Sequence, residues 1–192
     1  LSCFPRARST RKRFGLSSKG IIGMGKRLIT IIGANGVGKT TTSNALLQTC
    51  PNSAYVDADW CRAINPFQFT EATKKTVTNN ILCLFRNYLL CTDIETVIFP
   101  YGFHGERKSI YDEVIHRLRD EGIIFDEHIV VLKCEYEENI QRAVKDKRDD
   151  ERVKRGMKNT FHFYDNYDYP TIDTTNLSPE QVAEIIMENV SL

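Results

Sequence analysis

The sequence predicts an α/β fold, a five-stranded parallel sheet with helices on both faces. Three observations predict it. Short β-branched apolar runs alternate with helix-forming stretches, five of each, the pattern left by parallel strands joined through crossover helices. One run, His128-Ile129-Val130-Val131-Leu132-Lys133, is apolar almost throughout, as in a strand covered on both faces. The first run, Leu28-Ile29-Thr30-Ile31-Ile32, enters Gly33-Ala34-Asn35-Gly36-Val37-Gly38-Lys39-Thr40 and then a helical stretch from Thr41. That strand, glycine loop, helix order separates a phosphate-binding loop from a chance match.

The elements follow in order. The helix after the loop ends at Cys50-Pro51-Asn52, a stop signal. Ser53-Ala54-Tyr55-Val56 is a short strand that runs, still extended, into Asp57-Ala58-Asp59-Trp60. Asn65-Pro66-Phe67 makes a turn, and Thr70 with Glu71 opens a helix whose inward face is Val77, Ile81, Leu84 and Tyr88. Thr96-Val97-Ile98-Phe99 is the third strand, closed by Pro100-Tyr101-Gly102. A helix over Glu106 to Glu121 turns Ile110, Val114 and Leu118 inward, and Gly122 stops it. After the apolar fourth strand, Glu137 to about Arg155 reads as one charged helix, and Tyr169–Asp173 as a last strand. Ser178-Pro179-Glu180-Gln181 is a capping box with proline at the first helical position, opening a helix on Val182, Ile185 and Ile186.

With 192 residues, 41% hydrophobic and 27% charged, the chain has the make-up of one ordinary globular domain. No stretch approaches the ~20 apolar residues of a membrane span. Six cysteines (Cys3, Cys50, Cys61, Cys83, Cys91, Cys134) are scattered without a C-x-x-C pair, which points to packed thiols in a reducing, cytoplasmic setting, with a hidden zinc site as the alternative. The net charge of +1 hides an asymmetry: residues 1–27 hold eight of the 26 basic residues and no acid, leaving 18 basic against 25 acidic residues in the rest. A mildly acidic body argues against a general nucleic-acid-binding surface. The Ser- and Gly-rich leader, residues 1–25, lacks an apolar face and reads as disordered sequence upstream of Met24. An Arg/Ser-rich transit segment, or an arm contacting RNA or a membrane, is the alternative. Residues 26–192 form the domain.

Ligands of such sheets sit at the carboxyl ends of the strands, so the chemistry is sought there. Backbone N–H groups of the loop from Gly33 to Gly38 can converge on phosphates, and the N-terminus of the next helix, with Thr40 and Thr41, adds to them. Lys39 reaches the β/γ-phosphates and the Thr40 hydroxyl holds Mg2+. Asp57 and Asp59, two apart in extended chain, point to the same side. One could orient or deprotonate a hydroxyl that attacks the γ-phosphate, and the other could hold Mg2+ through water. The plain alternative is that Asp57 caps a turn and Asp59 is solvated. The third strand ends in Phe99-Pro100 rather than in an acid, which weighs against a motor ATPase. Trp60, Phe67, Tyr101, Phe103 and His104 are material for a small-molecule pocket, with packing or capping as the other role for His104. A basic run from Arg142 through Arg148, Arg152 and Arg155 to Lys158 suits a lid over residues 140–160 that closes on the transferring phosphoryl group. The alternative is a solvated helix of ion pairs with Asp146, Asp149, Asp150 and Glu151.

These parts together resemble the P-loop kinase superfamily of nucleoside-monophosphate-kinase and shikimate/gluconate-kinase type. More narrowly, they resemble a bacterial group labelled AAA family ATPases or nucleotide kinases. The resemblance is carried by Gly33 to Thr40, by Val56-Asp57-Ala58-Asp59-Trp60 with Asn65-Pro66-Phe67, and by Val97-Ile98-Phe99 followed by His104. It continues through Arg148 to Arg155 and Ile172-Asp173-Thr174-Thr175-Asn176-Leu177-Ser178. It covers residues 26 to 190 and implies a three-layer P-loop NTPase fold with a helical lid. Lys39 and Thr40 would then lie on ATP and Mg2+, Asp57 and Asp59 at the acceptor with Trp60, Tyr101 and His104 around it, Arg148 and Arg155 in the lid, and Asp173 to Leu177 near adenine. The chain departs from the pattern at Pro100-Tyr101-Gly102 and at Lys158, which stands near the place of a further lid arginine. The function so implied is transfer of the γ-phosphate of ATP to a small acceptor: a nucleotide, a nucleoside or a hydroxyl metabolite. The competing readings are a nucleotide-dependent switch or ATPase without such an acceptor, and a nucleic-acid-end kinase.

Overall fold

In order along the chain, the elements are β1 (Arg27–Gly33), α1 (Lys39–Thr49), β2 (Ser53–Tyr55), α2 (Ala58–Cys61), α3 (Glu71–Leu90), β3 (Thr96–Pro100), α4 (Arg107–Asp120), β4 (Asp126–Lys133), α5 (Tyr136–Lys145), α6 (Glu151–Phe161), β5 (Thr171–Asp173) and α7 (Pro179–Val190). They come from a computed structural model that describes residues 25–145, 147 and 151–190, with the backbone alone at 152 and 153. The basic leader lies outside the described residues, as do Asp146, Arg148, Asp149 and Asp150 of the expected lid. All sheet pairings are parallel and the strand order is β2-β3-β1-β4-β5.

The central strand alternates its apolar side chains between two cores, as a period of two requires. Leu28 and Ile32 join the α3 and α4 side, where Phe85, Phe99, Val114 and Leu118 are fully buried. Ile29 and Ile31 join the α1 and α7 side with Leu46, Val182 and Ile186. The result is three layers, helix on sheet on helix.

Most boundaries follow local signals. Thr70 caps α3 with a reciprocal bond to Thr73, and the Ser178 and Gln181 side chains bond each other's backbone N–H at the start of α7. Three features differ from the expectations. The α3 stripe that faces the core is Val77, Ile81, Leu82, Phe85 and Leu89, with Leu84 and Tyr88 only partly covered; Phe85 meets the Phe99 ring edge to face at 4.9 Å. Asp57 to Trp60 is not extended chain but the first turn of a short helix. The single charged helix is two helices, since Lys147 has a left-handed φ of 55°, which a continuing α-helix cannot accommodate.

Candidate active site

The strands direct their carboxyl ends at one cavity of about 730 Å3, lined by the phosphate loop from Asn35 onward, the segment after β2, the segment after β3, α5, Gly156 of α6, and the loop and helix after β5. Thr40 and Thr41 are exposed on the cavity wall at the start of α1. Gly33 and Ala34 lie beneath the wall, and their carbonyls accept from Lys39 Nζ at 2.9 and 2.7 Å. Burial, and then the charge of Arg107, pull the Lys39 pKa down to about 8, against the opposing pull of Asp59.

The loop is braced from outside the strand–helix unit. The backbone N–H of Asn35 donates to Thr160 Oγ1 of α6 at 3.1 Å, and its carbonyl accepts from Asn139 Nδ2 of α5 at 3.0 Å. Gly36 has φ 88°, and a Cβ there would stand 2.2 Å from Asn139 Oδ1, so both conformation and space demand glycine. Arg142 of α5 bonds Thr174 Oγ1 and the carbonyls of Thr174 and Thr175. It thereby holds the loop after β5, where Thr174, Leu177, Pro179 and Val182 line the far end of the cavity.

At the opposite end Asp57 caps α2, its Oδ1 accepting the Asp59 N–H at 2.7 Å. This corrects the extended reading of Asp57 and Asp59: a carboxylate at an N-cap stabilises a turn by about 1 kcal/mol, and the chain curls there instead of running on. Asp59 pairs with Arg62 through Oδ1 at 2.6 Å. Both carboxylates still line the cavity. Their charge, after burial, raises the Tyr55 pKa to about 12, and burial followed by Asp57 raises Cys61 to about 11.

Tyr101 and His104 also line the cavity; Phe103 is buried in the core. Trp60 is 79% exposed and stands outside the lining. Arg155 is exposed on α6 and likewise does not line the cavity, while Arg148 lies outside the described residues. Among the described residues, the cations that line it are Lys39, Arg62, Arg107, Arg142 and Lys145. Arg62 and Arg107 were missed by the sequence reading; Arg107 was within reach, since it follows the exit of β3, where a polar residue invites inspection. At Gly102, where the chain departs from the pattern, a Cβ would meet His104 Cε1 at 2.7 Å and approach Arg107 Nη1.

No protein-family profile matches the chain, and no curated protein matches it. Solved structures do. The tunicamycin resistance protein of Deinococcus radiodurans is similar with a TM-score of 0.61 and 19% identity, over 87% of this chain and 96% of that one. The APS kinase of Mycobacterium tuberculosis, in complex with AMPPNP and APS, gives 0.59 and 16% over 87% and 98%. Shikimate kinase from Acinetobacter baumannii, in complex with shikimate, gives 0.57 and 17% over 86% and 93%. The fold is that of the P-loop kinases. In this chain the glycine loop and the segments after β2 and β3 share one cleft. No helix among the described residues is long and apolar enough to cross a membrane.

Proposed function

We propose that the protein is an ATP-dependent phosphotransferase that moves the γ-phosphate to a small acceptor. The observation that carries this reading is one cavity shared by a complete phosphate loop and the carboxylates Asp57 and Asp59. The loop N–H groups and Lys39 take the triphosphate, with Lys39 leaving the Gly33 and Ala34 carbonyls for it. Asp57 faces the acceptor and receives the proton of the attacking hydroxyl. Asp59, already turned by Arg62, helps to orient the acceptor or a water of the metal.

ATP would lie between the phosphate loop and the Thr174–Val182 wall, with its base toward Leu177. The Thr40 hydroxyl and the carboxylates are hard oxygen donors that fit Mg2+, and no group of three or more His, Cys, Asp or Glu able to hold a metal occurs among the described residues. The Thr40 hydroxyl and one of these carboxylates would hold the ion, which would neutralise phosphate charge. Arg148 and Arg155 keep the lid role that the resemblance implies, and Arg155 stands on α6 next to Gly156, which lines the cavity.

ATP consumption, measured with the protein alone and then with pools of nucleoside monophosphates, nucleosides and sugar acids, tests the reading. Stimulation by one pool is expected. Strong hydrolysis that no pool increases would replace the kinase reading with an ATPase. Asp57→Asn should abolish transfer and leave ATP affinity nearly intact; full activity in this variant would remove Asp57 from the acceptor site.

A further inference from the structure

The far wall of the cavity, from Arg142 to Val182, turns its hydrogen-bonding groups onto itself. Arg142 Nη2 donates to the Thr174 carbonyl at 2.7 Å and to the Thr175 carbonyl at 3.2 Å. Its Nη1 donates to Thr174 Oγ1 at 3.1 Å, and its Nε to Glu138 Oε1 at 2.8 Å. The Thr174 carbonyl also takes the Leu177 N–H. The Thr175 N–H goes to Asp173 Oδ1 at 2.9 Å, and the Ser178 N–H to Gln181 Oε1 at 2.9 Å. Thr174 Oγ1 lies 3.2 Å from the Val37 carbonyl, which seats this wall directly against the phosphate loop.

What the wall presents to the cavity is flat and largely apolar. Leu177, Pro179 and Val182 line it beside Arg142, whose N–H groups all lie in the guanidinium plane and whose nitrogens are engaged there. Among the described residues of this wall, no carboxylate or carboxamide lines the cavity. A base resting here is held through its ring face, which every base has. Bases differ at their edges: adenine offers an amino donor at N6 where guanine offers a carbonyl acceptor at O6. The Thr174 and Thr175 carbonyls are suited to accept an amino group, and Arg142 occupies both. Lys145, one turn further along α5, is exposed. Its flexible stem lets the ammonium follow a base carbonyl or a phosphate alike.

We propose that the nucleotide site is base-tolerant, taking adenine and guanine triphosphates alike and pyrimidine triphosphates more weakly, and that Arg142 sets this tolerance by capturing the Thr174 and Thr175 carbonyls. The inference rests on the proposed nucleotide site for the position of the base.

The full chain with Mg2+ is titrated calorimetrically with AMPPNP, GMPPNP, UMPPNP and inorganic triphosphate. AMPPNP and GMPPNP should bind within about tenfold of each other, with UMPPNP between them and inorganic triphosphate, because its ring face is smaller. A site built to hydrogen-bond its ligand rejects an analogue without the bonding group by about ten-thousandfold, so the two designs lie far apart. Arg142→Met frees both carbonyls and should shift the ratio of affinities toward AMPPNP by about fivefold, the effect of one net hydrogen bond. Arg142→Lys, whose ammonium cannot hold both carbonyls and Thr174 Oγ1 in one plane, gives the same comparison if Arg142→Met does not fold. Leu177→Ala should weaken both purine analogues by the same factor.

A preference above tenfold for either purine in the parent would overturn the inference, and its loss in Lys145→Met would assign base reading to Lys145 instead. An unchanged ratio in a folded Arg142 variant would overturn the role of Arg142. These outcomes leave the kinase reading untouched. Binding of no analogue would overturn both. ATP consumption that no acceptor stimulates, with base-tolerant binding intact, would sink the kinase reading alone.

Discussion

Asn139 Nδ2 on α5 donates to the Asn35 carbonyl at 3.0 Å across 104 residues of sequence, so the phosphate loop is held by a helix that shares no local sequence with it. Asn139 is fully buried, and the bond replaces water that cannot reach the loop carbonyl. Asn139→Ala should cost about 1–3 kcal/mol of stability, the range for a buried polar group left without its partner. It should also weaken AMPPNP binding, because the loop N–H groups lose their fixed direction. Urea unfolding and calorimetric titration check both parts; unchanged nucleotide affinity would confine Asn139 to stability.

Gly102 and His104 set the second expectation. Because a Cβ at Gly102 would stand 2.7 Å from His104 Cε1, Gly102→Ala must push the imidazole away from Arg107. The overpacking should cost about 1–3 kcal/mol, and the displaced ring should titrate above its parent value, which burial and then the charge of Arg107 hold down to about 4. Imidazole C–H resonances followed with pH, assigned through His104→Gln, report this directly. An unmoved titration would mean that the ring accommodates the methyl group in place.

Lys39 gives a pH dependence with a defined sign. Its folded-state pKa of about 8 lies below the ordinary 10.5, so between those values the unfolded chain binds more protons and this group's contribution to stability rises with pH. Triphosphate favours the ammonium form, so above pH 8 binding takes up a proton and affinity falls by up to about tenfold per pH unit. Calorimetry in buffers of different ionisation enthalpy measures the proton. Lys39→Met should show neither the uptake nor this slope.

The sequence by itself determined the strand and helix alternation, the phosphate loop, the caps at Thr70 and Ser178, and the placement of Asp57 and Asp59 after β2. All of these rest on interactions within a few residues: apolar period, glycine conformation, and side chains bonding their own turn. The same local logic put Leu84 and Tyr88, rather than Leu82, Phe85 and Leu89, beside Val77 and Ile81 on the inward face of α3, and ran one helix through Lys147. It also drew Asp57 to Trp60 as extended chain, although the capping alternative was visible in the aspartate itself.

Tertiary structure alone decided which side chains meet at the Asp57 end of the cavity and what braces the loop. Placing β3 between β1 and β2 brings the exits of β2 and β3 together, so that Arg62 and Arg107 meet beside Lys39 while Trp60 and Arg155 stay outside the cavity. Tyr164, Thr160 and Asn139 reach the site from 60 to 125 residues away. Such an arrangement has no local signature: whether a guanidinium is paired depends on which distant carboxylates and rings the fold brings within a few ångströms, and how much water it removes.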